Sequence, residues 1–289
     1  MKKLKRIVVG IDISERTDNV LKRALMIARE NEAELFVVHA VETPWLSVPS
    51  FFGSKELVVD TEKIKKTIEK KLKALNADKK VPYFIYVKED DADDLLLYAA
   101  KWSRADMMVL GAHSKKKGLK RFLGSIVQKV VHQSHLPVLI VKNNADQAYK
   151  NIVAPTDFQM QSKQSILFSK EIFPGSKIDI VNAFETVYVM EAPYATMGPD
   201  ILEYNNMAIS SAKKEMKKFI KEVSAKKGNV IDGEFDSKAA LVNYINKGSY
   251  DLVAIGSRGT AGFNALLGNV ATYVLRETGC DVLVYVPID

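Results

Sequence analysis

Two aspartates stand 145 residues apart at the ends of short apolar runs, Asp12 after RIVVGI (6–11) and Asp157 after NIVAPT (151–156). Each half of the chain also carries a glycine-bearing loop, GAHSKKKGLKRFLGS (111–125) in the first and GSRGTAGFNALLGN (256–269) in the second. Glycine lets the backbone come close to a phosphate. A helix beginning beyond the loop adds free N–H groups and the positive end of its dipole. Ser125 or Asn269 supplies one more donor. Together these make an anion cradle beside a carboxylate, and the chemistry they offer is the binding of a phosphorylated ligand. The loop is not a P-loop, because G-x-x-x-x-G-K-[ST] does not occur, and it is not the dinucleotide fingerprint, because it follows a fourth strand rather than a first. The glycines equally suit a plain strand-to-helix turn. His39 and His113 approach the same end of the sheet, but no nucleophile is marked beside them, so neither a catalytic dyad nor a triad is indicated.

These loops need a scaffold that brings strand ends together. In the first half, apolar runs at 7–11, 35–41, 83–87, 107–110 and 138–141 read as buried strands. Between them, helical periodicity runs over 15–31, 60–77, 91–104 and 124–134, with Ser14 as an N-cap and acidic residues opening the third helix. The second half repeats the alternation, with strands near 152–154, 178–183, 229–235, 252–255 and 282–286. Alternating strands and helices predict an α/β fold with a parallel sheet covered on both faces. In such sheets ligands bind outside the carboxyl ends of the strands, where Asp12, His39–Ala40 and the glycine loop converge, as do Asp157, Asn182–Ala183 and the second loop.

Five segments recur in order at offsets of 143 to 145: RIVVGIDIS with NIVAPTDFQ, FVVHAVET with DIVNAFET, ADMMVLGAHS with YDLVAIGSRG, LGSIVQKVV with LGNVATYVL, and PVLIV with DVLVY. The chain therefore reads as a tandem repeat, with one domain at 1–143, a polar linker at 144–150 and a second domain at 151–289. The long connection after the second strand of the second copy carries Phe184, Tyr188, Met190, Tyr194 and Met197, with Tyr204 and Met207 beyond it, and reads as a lid or an interface.

Composition narrows the function classes. Apolar residues make up 47% and charged residues 27%, the profile of an ordinary globular protein. The apolar stretch after the basic start ends at Asp12, too short for a signal peptide, and no run reaches membrane-spanning length. The single cysteine, Cys280, suits a reducing compartment, so a cytoplasmic location is expected, without a membrane partner. The net charge of +7 divides into +9 for residues 1–145 (27 basic, 18 acidic) and −2 for the rest (15 and 17). Much of the first half's excess lies in mixed-charge helical segments such as 63–80, which argues against nucleic acid as a partner. His132 and His135 lack further ligands at metal-binding spacing, and Asp90, Asp91, Asp93 and Asp94 read as a helix start.

The APTDF segment (154–158), the two glycine loops and the PVLIV strand (137–141) resemble the universal stress protein family, whose loop follows G-x2-G-x9-G-(S/T) and whose first strand ends in aspartate, often within P-T-D-F-S. The resemblance covers both halves almost completely. It implies two tandem Rossmann-like domains of the adenine nucleotide alpha hydrolase type, each a five-stranded parallel sheet, in a stress-response protein that binds rather than catalyses. It implies ATP as cofactor, alone or with Mg2+, or no cofactor. Adenine and ribose would lie by Asp12 or Asp157 and Ala40 or Ala183, with the phosphates on the loop. It also implies an intrachain pseudo-dimer through the last strand of each domain, with a homodimer as the alternative assembly.

Both copies depart from the family pattern. The first set is Asp12, Ala40, Gly111, Ser114, Gly124 and Ser125, where Ser114 replaces the second glycine; a left-handed backbone there would cost about 1–2 kcal/mol. The second set is Asp157, Ala183, Gly256, Gly259, Gly268, Asn269 and Val270, with both early glycines but a loop one residue short. A Cβ obstructs a phosphate directly, whereas Gly262 can absorb a deletion, so the second copy is the preferred site. Two other functions stay open: a weak ATPase or autokinase using the same pocket, and a nucleotide-independent interaction scaffold.

Overall fold

The computed structural model describes residues 4–14, 16–41, 60–112, 123–185, 200–233, 236–257 and 267–287. The chain divides into two compact units, Lys2–Ala148 and Tyr149–Asp289.

The first unit has five strands, β1 (Arg6–Gly10), β2 (Glu34–Val41), β3 (Tyr83–Glu89), β4 (Met107–Gly111) and β5 (Val138–Val141). They lie in the order β3-β2-β1-β4-β5 and all pair in parallel. Four helices connect them: α1 (Thr17–Asn31), α2 (Thr61–Leu75), α3 (Ala92–Ser103) and α4 (Ser125–Gln133). Consecutive residues Ile7, Val8 and Val9 of β1 are all fully buried. Successive side chains of a strand point to opposite faces, so β1 is covered on both. α1 packs against α2, and α3 against α4.

The second unit repeats this with β6 (Asn151–Pro155), β7 (Lys177–Phe184), β8 (Lys227–Asp232), β9 (Leu252–Gly256) and β10 (Asp281–Tyr285) in the order β8-β7-β6-β9-β10, again parallel. Its helices are α5 (Met160–Ile172), α6 (Asp200–Glu222), α7 (Ser237–Lys247) and α8 (Asn269–Glu277).

Two boundaries differ from the sequence reading. Helix α1 begins at Thr17 rather than at 15, and Ser14 is not its N-cap. The Asp12 carboxylate takes the Ser14 N–H and Ile13 is left-handed, so the chain turns once more before the helix starts. Strand β8 spans 227–232 rather than 229–235. Its register against β7 runs from Asp179↔Lys227 to Phe184↔Asp232, and Gly228 lies where Met216 and Ile220 of α6 leave no room for a side chain. Of the aromatic and methionine residues in the long connection, Tyr188, Met190, Tyr194 and Met197 lie outside the described residues, whereas Tyr204 and Met207 are exposed on α6.

Residues 144–148 lie against α1: Asn19 Nδ2 donates to Asn144 Oδ1 at 3.0 Å and Arg23 Nη1 to the Gln147 carbonyl at 2.8 Å. Tyr149 donates its hydroxyl to the buried Asp281 carboxylate at 2.5 Å and sets its ring edge-on against Phe173. Among the described residues, no helix is long and apolar enough to cross a membrane.

Candidate functional site

In the first domain the carboxyl ends of β1, β2 and β4 open into a cavity of about 530 Å3, within the ~300–1,000 Å3 of small-molecule sites. Asp12 follows β1. Its Oδ1 accepts the Ser14 N–H at 3.1 Å and the Thr17 hydroxyl at 3.4 Å. Its Oδ2 is buried and has no hydrogen-bond partner among the described residues. A carboxylate oxygen left this way is costly to bury unless a donor reaches it. Ile13, next in the chain, is left-handed at φ 55°, a conformation that crowds a β-branched side chain. At the end of β2, His39 Nδ1 lies 2.9 Å from the Ile11 carbonyl. At the end of β4, a Cβ on Gly111 would press on Val20 Cγ2 at 3.1 Å.

Helix α4 starts at the same cavity, which Gly124, Ile126 and Val127 line. Gly124 is its N-cap, at φ −59°, and no side chain caps the first turn. The N–H groups of the first turn have no helical partners and face the approach to the cavity. A φ of −59° is open to any residue, so Gly124 contributes room rather than a special backbone.

The second domain arranges equivalent parts in a cavity of about 250 Å3. Asp157 Oδ1 accepts the Gln159 N–H at 3.0 Å and the Ser162 hydroxyl at 3.0 Å. Ser162 Oγ also lies 2.8 Å from Thr156 Oγ1. Phe158, like Ile13, is left-handed at φ 64°, and its ring packs edge-on against Phe219. Asn182 occupies the position of His39 and donates Nδ2–H to the Thr156 carbonyl at 2.8 Å. Gly256 ends β9 directly beneath α5, where a Cβ would meet the Gln161 carbonyl oxygen at 2.9 Å. Gly268 caps α8 at φ −64°, again without a side-chain cap. Ser257 is 3% exposed, and its hydroxyl has no partner among the described residues.

Most of the residues singled out from the sequence converge. Asp12, Ala40, Gly111 and Gly124 line the first cavity; Asp157, Ala183, Gly256, Gly268 and Val270 line the second. Ser125 and Asn269 open α4 and α8 beside those cavities without lining them. Ser114 and Gly259, on which the preference between the copies turned, lie outside the described residues, as do His113, Lys115, Lys116, Lys117, Lys120 and Arg121. Thr17 and Ser162 were missed, although each is a hydroxyl five residues after its aspartate and so belongs to the repeat. Ser257, Gln161 and the left-handed Ile13 and Phe158 carry no comparable signal.

The model of the universal stress protein family matches residues 3–142 and 148–286. A universal stress protein of Methanocaldococcus jannaschii is 32% identical over 142 residues, 48% of this chain and 82% of its own length. Among solved structures, a functionally unknown protein from Pseudomonas aeruginosa PAO1 aligns with 99% of this chain and 94% of its own, at 16% identity and a TM-score of 0.73, a likeness of fold. A universal stress protein solved in complex with cAMP aligns with 49% of the chain and 98% of its own, at 24% identity and a TM-score of 0.37. With one match to the family model over each half, the chain belongs to the universal stress protein family and carries two of its domains in tandem.

Proposed function

We propose that this stress-family protein binds one adenine nucleotide per chain, in the first domain, and acts by binding rather than by turnover. The observation that carries this reading is the buried, unpartnered Asp12 Oδ2 in a 530 Å3 cavity whose far side is the uncapped start of α4. A carboxylate wants a hydroxyl or N–H donor, and a helix N-terminus wants an anion. A nucleotide supplies both through its ribose and its phosphates. The residues that would hold it are Asp12 and Ala40 for the nucleoside, and Gly111, Gly124 and the first turn of α4 for the phosphates.

This reverses the preference drawn from the sequence. Asp157 is exposed where Asp12 buries an oxygen, Gly256 lies against the Gln161 backbone, and the second cavity is less than half the size of the first.

Calorimetry with ATP, with and without Mg2+, tests the reading. One nucleotide per chain is expected. Asp12→Asn keeps an oxygen for Ser14 and replaces the other with a donor, so affinity should fall roughly ten- to a hundredfold, the worth of about 1.5–3 kcal/mol for a hydrogen bond to a charged group. Asp157→Asn should leave it unchanged. Absence of heat at millimolar ATP would sink the nucleotide reading and leave the interaction scaffold; phosphate release above background would favour the ATPase or autokinase.

The same reading extends to assembly and location. Residues 144–150 link domains at 1–143 and 151–289, and the apolar runs Val138–Val141 and Val282–Val286 pair the domains within the chain as a pseudo-dimer; the edge of an apolar strand invites such pairing. The lone, buried Cys280 suits the cytoplasm. Small-angle scattering showing two independently moving lobes would exclude the pairing.

A further inference from the structure

The first cavity sorts a bound nucleotide by chemistry. Phosphates belong at the start of α4; Asp12 and Arg16 together line the β1 end, so that end has no net positive charge to compete for them. The remaining space, at the end of β2, is walled by Val38, Val41, Ile64, Ala92 and Leu96, an apolar slot suited to a planar base. His39 lines the same cavity. A carbonyl oxygen only accepts hydrogen bonds, so the 2.9 Å contact with Ile11 O makes Nδ1 the donor and fixes the neutral ring as the Nδ1–H tautomer. Nε2 on the far side of the ring then carries a lone pair, and no described residue donates to it. Asn182 makes the same anchor to the carbonyl preceding Asp157, yet offers no ring nitrogen beyond it.

Resting on the nucleotide reading above, we infer that His39 reads the base in the first domain: Nε2 accepts a hydrogen bond from the exocyclic amine of a 6-aminopurine and turns away a 6-oxopurine, whose carbonyl would face the lone pair. The anchor to Ile11 holds the ring in place before the ligand arrives, which spares the ordering cost of binding.

Calorimetry with ATP and with inosine triphosphate, in which a carbonyl replaces the amine and N1 gains a proton, tests this. The unmodified protein should prefer ATP by roughly tenfold or more, the cost of an unsatisfied or opposed acceptor. His39→Asn keeps the Ile11 anchor, as Asn182 does in the second domain, and loses Nε2; it should weaken ATP about tenfold, leave inosine triphosphate unchanged and bring the ratio near one. In the unmodified protein, the 15N resonance of His39 Nε2 should shift on addition of ATP and not of inosine triphosphate, a readout that needs no variant to fold. Equal affinities for the two nucleotides, equal losses for both in His39→Asn, or an unmoved Nε2 resonance while ATP binds would overturn the role of His39 and leave the nucleotide reading standing. If neither nucleotide binds, both fall.

Discussion

The turn after β1 and the turn after β6 are the same device left in two states. Both place an aspartate at the strand end, follow it with a left-handed bulky residue, and return a hydroxyl five residues later. In the first domain the hydroxyl is Thr17, at the limit of hydrogen bonding at 3.4 Å, and one carboxylate oxygen stays unused. In the second, Ser162 closes to 3.0 Å of Asp157 and to 2.8 Å of Thr156. Residue 11 is isoleucine where residue 156 is threonine, so only the second turn has an extra hydroxyl to draw the helix start inward. The two turns thus differ by a few hydroxyls and by the burial of one carboxylate oxygen on one backbone plan. A buried acceptor is available to a ligand only when the protein has not already answered it.

The comparison can be broken at its tightest contact first. Gly256→Ala forces a Cβ against the Gln161 backbone, which has no flexible end to yield, whereas Gly111→Ala meets only the tip of Val20. The first should cost about 1–3 kcal/mol in urea unfolding, as overpacking does, and the second less than about 1 kcal/mol. Equal costs would mean that α5 is not held against β9 as described.

A smaller effect separates the hydroxyls. Ser162→Ala removes a donor from Asp157 and one of the two partners of the buried Thr156 hydroxyl, which keeps the Phe158 N–H, so a loss of about 1–2 kcal/mol is expected. Thr17→Val removes only the 3.4 Å contact and should change stability by less than about 0.5 kcal/mol. Reversed magnitudes would show that the first hydroxyl, not the second, is the more tightly held one.

The smallest effect sharpens the left-handed pair. Asparagine tolerates this conformation better than a β-branched residue, so Ile13→Asn should gain about 0.5–1 kcal/mol. Phe158→Asn relieves the same strain but loses the edge-on contact with Phe219, worth about 0.5–1.5 kcal/mol beyond burial, and should gain nothing. Circular dichroism melts of both variants check the sign: a destabilised Ile13→Asn would mean that the Ile13 side chain contributes more than its backbone costs.

The parallel α/β alternation, the tandem repeat and the clustering of Asp12 with Gly111 and Gly124 were legible because each rests on local pattern. Strands buried on both faces need continuous apolar runs such as Ile7–Val9, and a repeated backbone plan leaves repeated punctuation at Asp12 and Asp157, Gly111 and Gly256. The relative size of the two cavities was not legible. Counting loop glycines favoured the second copy, yet the volume of each cavity follows from how closely α1 or α5 approaches its sheet, and that closeness depends on side chains outside the glycine motif.

By itself, then, the sequence determined the repeat, the α/β alternation of each half and the chemistry gathered at the strand ends, since periodicity and residue type are properties of the chain read in order. The tertiary structure alone decided the strand order β3-β2-β1-β4-β5 and its counterpart β8-β7-β6-β9-β10, the tautomer of His39, and which aspartate buries an oxygen without a partner among the described residues. Those depend on ångström-scale distances between residues far apart in sequence: His39 reaches Ile11 across 28 positions, and Gln161 meets Gly256 across 95. Hydrogen bonds and steric contacts fall off within such distances, so no pattern along the chain can stand in for them.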